Sequence, residues 1–190
     1  MNVVLIGFRG SGKTTVGKAL AARLGREFID CDEYIERKTQ LSIREIFERW
    51  GESHFRNLES EAIAELAKLD GKVIATGGGA VLRYKNIQIL KRNGKIFHLE
   101  VSPETAFRRI EADGSTRQRR PALTDKDPFT EIREQIELRR PYYHQGADVT
   151  VATDDRPVEE IVREILRHLG APLPGERPDE ESQGMDEATA

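Results

Sequence analysis

Gly7-Phe8-Arg9-Gly10-Ser11-Gly12-Lys13-Thr14 fits the pattern G-x-x-x-x-G-K-[ST] in full and follows the β-branched run Asn2–Ile6. No other feature constrains the fold as much, because this loop works only between a buried strand and a helix N-terminus. Glycines let the backbone wrap around a polyphosphate with its N–H groups turned inward, and the helix end adds positive potential. Lys13 suits the β- and γ-phosphates, and the Thr14 hydroxyl suits Mg²⁺. The expected ATP contacts of the loop are Gly10, Ser11, Gly12, Lys13, Thr14 and Thr15. Nucleotide binding alone does not separate a kinase from an ATPase or a GTPase switch.

The rest of the chain continues the alternation. Thr14–Leu24 reads as a helix, and Phe28–Ile29 as a strand ending at Asp30. Ser42-Ile43-Arg44-Glu45 is a capping box opening a helix to about Trp50. Leu58–Leu69 reads as a helix stopped by Asp70-Gly71, and Lys72–Ala75 as a strand. Ile96–Val101 is a strand, followed by a helix that Ser102-Pro103 caps. Phe129–Arg140 is helical until Pro141, Val149–Ala152 is the last strand, and Pro157–Leu169 is an amphipathic helix. Alternating strands and helices predict an α/β fold with a parallel sheet covered on both faces, binding ligands at the strands' carboxyl ends.

Length and charge narrow the class further. A chain of 190 residues suits one domain, expected over residues 1–170. Residues 171–190 are rich in Pro, Gly and acid and read as a disordered acidic tail. The formal net charge is −3, but the tail holds six acidic residues and one basic residue, which leaves 29 basic and 27 acidic residues, or +2, before it. That balance suits an anionic ligand and is too mild for nucleic acid. Cys31 is the single cysteine, so no disulfide framework forms within the chain. No run is long and apolar enough to suggest a membrane span, and the expected location is the cytoplasm. The four histidines, His54, His98, His144 and His168, show no ligand spacing, so no zinc site is expected.

Three features bear on the phosphoryl acceptor. Asp30-Cys31-Asp32 closes the second strand, and residues two apart on a strand point the same way, so both carboxylates can face one cleft. One suits Mg²⁺, and the other can hold a hydroxyl and take its proton. Cys31 between them reads as packing, and Trp50 as a pocket wall or core residue. Thr76-Gly77-Gly78-Gly79-Ala80 lets the backbone approach a ligand closely. The strand before it carries no Walker-B acid, which makes Asp30 the candidate on the metal side. Arginines form the third feature: Arg56 after a helix, the cluster Arg117, Arg119 and Arg120 in a turn-rich stretch that reads as a lid, and Arg139-Arg140 before Pro141. Guanidinium groups grip carboxylates in bidentate fashion, so an anionic acceptor is expected.

Taken together and in order, these motifs resemble the shikimate kinase family, of the nucleoside-monophosphate-kinase-like P-loop fold. The resemblance rests on Gly7–Thr15, Asp30–Asp32, the phrase Gly51–Glu59, Gly77–Ala80, Arg120-Pro121 and Arg139–Tyr143, and it runs from about Asn2 to Leu169. It implies a three-layer α/β/α sandwich with a five-stranded parallel sheet of order 2-3-1-4-5, a P-loop and a lid at about residues 112–124. It implies transfer of the γ-phosphate of ATP to the 3-hydroxyl of shikimate, with Mg²⁺, in chorismate and aromatic amino-acid synthesis. Shikimate would be held by Asp32, Arg56, Gly77, Gly78, Gly79 and Arg139, with Asp32 as proton acceptor. Lys13 and Arg120 would stabilise the transferring group, Thr14 and Asp30 would hold the metal, and Arg109 and Arg156 would flank adenine. The expected partners are shikimate and ATP, with no nucleic acid, no membrane and a monomeric enzyme. A gluconate kinase would lack the pairing of Asp32 with Arg56 and Arg139, and a nucleotide switch would not need an acceptor pocket.

Overall fold

The computed structural model describes residues 1–113 and 127–171. The lid arginines Arg117, Arg119 and Arg120, lid residues 114–124 and tail residues 172–190 lie outside the described residues. Five parallel strands form one sheet in the order β2-β3-β1-β4-β5: β1 Asn2–Ile6, β2 Phe28–Asp30, β3 Val73–Ala75, β4 Gly94–Glu100 and β5 Val149–Ala152. The order agrees with the expectation. Strand β1 is buried along its whole length, as a central strand covered on both faces must be.

Helices cover both faces. They are α1 Lys13–Leu24, α2 Cys31–Thr39, α3 Ile43–Leu66, α4 Tyr84–Lys91, α5 Pro103–Ala112, α6 Pro128–Gly146 and α7 Val158–Leu169. Alternate residues of β1 feed two separate cores. Val4 and Ile6 join Ile35, Ile46, Phe55, Ile63 and Ile136 on one face. Val3 and Leu5 join Val16, Leu20, Ile161 and Ile165 on the other. The period of two in the strand thus decides which helices meet which face.

Four expectations need correction. Asp32 is not on a strand: α2 begins at Cys31, and Asp30 is its N-cap, accepting from the Asp32 and Glu33 amides. The carboxylate that looked purely functional also starts a helix. Arg56 does follow the helix that the capping box of Ser42 and Glu45 opens, which breaks at Gly51 as expected, but it lies on a second helical segment of α3 that starts there and not at Leu58. Gly51 alone interrupts that helix, at φ 77° and ψ 178°, where a glycine turns the chain and the next helical segment starts at once. Pro141 does not end α6, which continues to Gly146. Packing two residues further on offsets the lost backbone bond. Tyr143 is buried, stacks on His98 at 4.8 Å and donates its hydroxyl to the Gly78 carbonyl at 2.6 Å. Finally, Trp50 is not a core residue, because it is 51% exposed, beside His54. Cys31 is fully buried, consistent with packing.

Candidate active site

Three neighbouring strands, β2, β3 and β1, deliver their carboxyl ends side by side. Those ends are Asp30, Thr76-Gly77 and Gly7, so the acid, the glycine run and the phosphate loop meet at one edge of the sheet. They border a cleft of about 380 Å³. Its walls include Gly10, Gly12, Lys13, Thr14 and Thr15 on one side and Asp30, Asp32, Gly77 and Gly78 on the other. Arg109 closes the end of the phosphate loop.

The loop is held in shape by contacts that glycine alone permits. Gly7 sits at φ 148°, and a Cβ there would lie 2.6 Å from the Leu99 carbonyl oxygen. Lys13 Nζ donates to the carbonyls of Gly7 at 2.8 Å and Phe8 at 2.9 Å, bracing the turn from inside. Ser11 is fully buried and its amide donates to Phe8 O at 3.1 Å, so its part in the loop is structural as well. Arg109 donates to Gly10 O at 3.2 Å and to Thr153 O at 2.7 Å, tying the loop to the turn after β5. Arg156 in that turn is directed elsewhere. It donates to Ala152 O and pairs with Glu164 at 2.7 Å, and it is not among the cleft walls.

One hydrogen bond joins the two sides of the cleft. Thr14 Oγ1 donates to Asp30 Oδ2 at 3.1 Å. Burial first, and then the charge of Asp32, pushes the Asp30 carboxyl above its usual range. A buried acid beside a second acid and a hydroxyl is an all-oxygen donor set whose repulsion a hard divalent cation relieves. Mg²⁺ therefore fits Thr14 and Asp30.

Gly79, the last of the run, is not a cleft wall, and neither are Arg56 and Arg139, which stand directly behind the run. A Cβ on Gly79 would lie 2.4–2.5 Å from the Arg56 guanidinium atoms, so this glycine makes room for that arginine. Arg139 donates to Gly78 O at 3.3 Å. Two residues that sequence reasoning missed hold Arg56 in place: Glu59, fully buried, at 2.8 Å, and Glu52 at 2.9 Å. Burial works against the Arg56 charge, but Glu59 and Glu52 more than offset it and raise its pKa. Their positions four before and three after Arg56 are the helical neighbour spacing, a signal legible once the segment is known to be helical. Tyr143, through Gly78 O, and Arg9, which pairs with buried Glu131 at 3.1 Å, were also missed. Glu59→Ala should cost about 3 kcal/mol, because it strips a buried partner from a buried guanidinium. Urea denaturation of the two proteins checks this, and a difference under about 1 kcal/mol would contradict it.

Comparison with known proteins agrees with this geometry. The family model for shikimate kinase matches residues 9–170. Shikimate kinase from Symbiobacterium thermophilum is 45% identical over 169 residues, covering 89% of this chain and 96% of the relative. Shikimate kinase from Caldanaerobacter subterraneus is 45% identical over 166 residues, covering 87% and 94%. Among solved structures, shikimate kinase from Acinetobacter baumannii in complex with shikimate superposes with a TM-score of 0.82 at 38% identity, covering 88% and 92%. A gluconokinase from Sinorhizobium meliloti, at 22% identity and a TM-score of 0.54, shares the fold alone. The chain belongs to the shikimate kinase family.

Proposed function

We propose that this protein transfers the γ-phosphoryl group of ATP to the 3-hydroxyl of shikimate, and that residues 1–170 carry the activity as one domain. One observation carries the reading: a phosphate loop and an acid pair share one cleft, and the glycine run that walls it is backed by Arg56 and Arg139. A nucleotide switch has no use for that second wall, whereas a small carboxylate-bearing alcohol needs it.

The chemistry derives from the placement. ATP lies along Gly10–Thr15, with Arg109 at the adenine end. Arg56 and Arg139, behind the glycine run, draw the acceptor carboxylate to that wall by their positive potential. Asp32 holds the acceptor hydroxyl and takes its proton as the oxygen attacks the γ-phosphorus. The bond from phosphorus to the β,γ-bridging oxygen breaks, and ADP leaves. Lys13 stands where charge on the transferring group builds, which lowers the barrier without further reorganisation. Mg²⁺ at Thr14 and Asp30 supplies charge neutralisation on the phosphates when bound. Arg120 is the proposed lid contribution to the same charge, and Arg156 is proposed at the adenine edge. The protein is proposed to act as a monomer in the cytoplasm. Among the described residues, no helix is long and apolar enough to cross a membrane.

A coupled ADP-release assay with shikimate, gluconate or no acceptor tests the reading. Release should depend on shikimate, and equal release in all three would overturn it. The second wall has its own test. Gly79 sits at φ −102°, so alanine adds no backbone strain there and acts only by displacing Arg56. Gly79→Ala should raise the KM for shikimate about 10-fold or more, equivalent to roughly 1.4 kcal/mol, with the KM for ATP within about twofold. Equal changes in both constants would contradict that assignment.

A further inference from the structure

We propose that His98, Glu100 and His144 form a binding site for one divalent transition-metal ion of the zinc type, separate from the nucleotide cleft. His98 and Glu100 lie two apart on β4 and project from the same face of the sheet. His144 comes from α6, which packs on that face. One ligand atom from each of the three side chains lies within 4.8 Å of the other two. His144 Nε2 is 3.5 Å from Glu100 Oε1, and the two imidazoles meet edge to face with centroids 5.5 Å apart. The histidines stand 46 positions apart in the chain, so no sequence spacing reveals the pair.

A second, independent observation points to a ligand. His98 is only 4% exposed, and its Nδ1 has no hydrogen-bond partner among the described residues. A buried polar atom left unsatisfied costs about 1–3 kcal/mol, so such atoms in folded proteins are completed by an ion or a water. Burial first, and then the positive charges of His144, Lys13 and Arg140, lowers the His98 pKa to about 4. Its imidazole is therefore the neutral base that metals bind.

The donor set selects the metal. Two imidazoles and one carboxylate match zinc sites with three protein ligands and one open position. Nitrogen donors disfavour Mg²⁺ and Ca²⁺, which take oxygen. The two sites thus sort by ligand type: oxygen at Thr14 and Asp30, nitrogen and oxygen here. Zn–N bonds of about 2.0–2.1 Å require the three groups to draw together by about 1 Å. Glu100 and His144 can do so, because their side chains are 40% and 49% exposed and free to change rotamer. Arg140 borders the adjoining cavity together with His98 and Glu100, and its positive charge opposes a bound cation. The stack of His98 on Tyr143, whose hydroxyl holds Gly78 O, places the site one ring behind the glycine run.

The test uses the full chain after chelator treatment, with excess Mg²⁺ and no nucleotide. Co²⁺ is titrated and followed by its visible absorption, and Zn²⁺ displacement is then measured by calorimetry. One equivalent of Co²⁺ should bind and Zn²⁺ should displace it. His144→Gln and Glu100→Gln, both at partly exposed positions that tolerate change, should each weaken binding at least about 10-fold, since even outer-shell changes cost that much. Asp30→Asn should bind Co²⁺ like the parent. No stoichiometric Co²⁺ binding would overturn the proposal. So would unchanged binding in His144→Gln and Glu100→Gln, or loss of binding in Asp30→Asn, which would move the metal to the carboxylate pair.

Discussion

Lys13→Met should lower kcat by about 10³–10⁴-fold while leaving a folded protein. The side chain has one job that the structure shows and a second that is proposed. Its ammonium braces the phosphate loop through Gly7 O and Phe8 O at 2.8 and 2.9 Å, and it lies on the cleft wall where a γ-phosphate would sit. The first job is shared with glycine geometry and with the tie from Arg109 to Gly10 O, so the fold survives the loss. The other described cations on the cleft wall, Arg9 and Arg109, are engaged with Glu131 and with Gly10 O and Thr153 O. Methionine keeps the length of the stem and removes only the charge. Steady-state kinetics together with a thermal melt separate the two effects. A kcat within tenfold of the parent would show that Lys13 does not face the transferring group.

Asp32→Asn should lower kcat by about 10²–10⁴-fold while ATP affinity stays within about threefold. Asparagine fills the same space and still orients a hydroxyl, but it cannot accept the proton. The substitution also removes the second cause that raises the Asp30 carboxyl, leaving only its burial, so metal-side binding should not weaken. Calorimetric titration with an ATP analogue in Mg²⁺ gives the affinity, and the coupled assay gives kcat. Loss of nucleotide binding would place Asp32 on the wrong side of the cleft.

Much of this arrangement was legible in the chain itself. The phosphate loop announced the first strand and helix because glycine, lysine and threonine at that spacing serve no ordinary turn. The alternation of β-branched runs with amphipathic segments announced the parallel sheet, but its order came only from the family resemblance. The errors share a cause: local signals with two meanings. Asp30 reads as a functional acid, and its capping of α2 is visible only when the helix is present, so a nine-residue, strongly charged helix passed unseen. Gly51 and Pro141 are strong punctuation in sequence; Gly51 does break the helix, but a new segment starts at once, and packing of Tyr143 carries the other helix past Pro141. Arg56 could be named as a site residue without its partners, because Glu52 and Glu59 become neighbours only on a helix.

Phosphoryl transfer to shikimate is tested most plainly by the identity of the phosphorylated product. Enzyme, Mg²⁺, ATP and shikimate are incubated, and the mixture is followed by ³¹P NMR. One phosphate monoester on the 3-hydroxyl of shikimate should form in step with ADP. Inorganic phosphate appearing in step with ADP, or an ester at another hydroxyl, would contradict it.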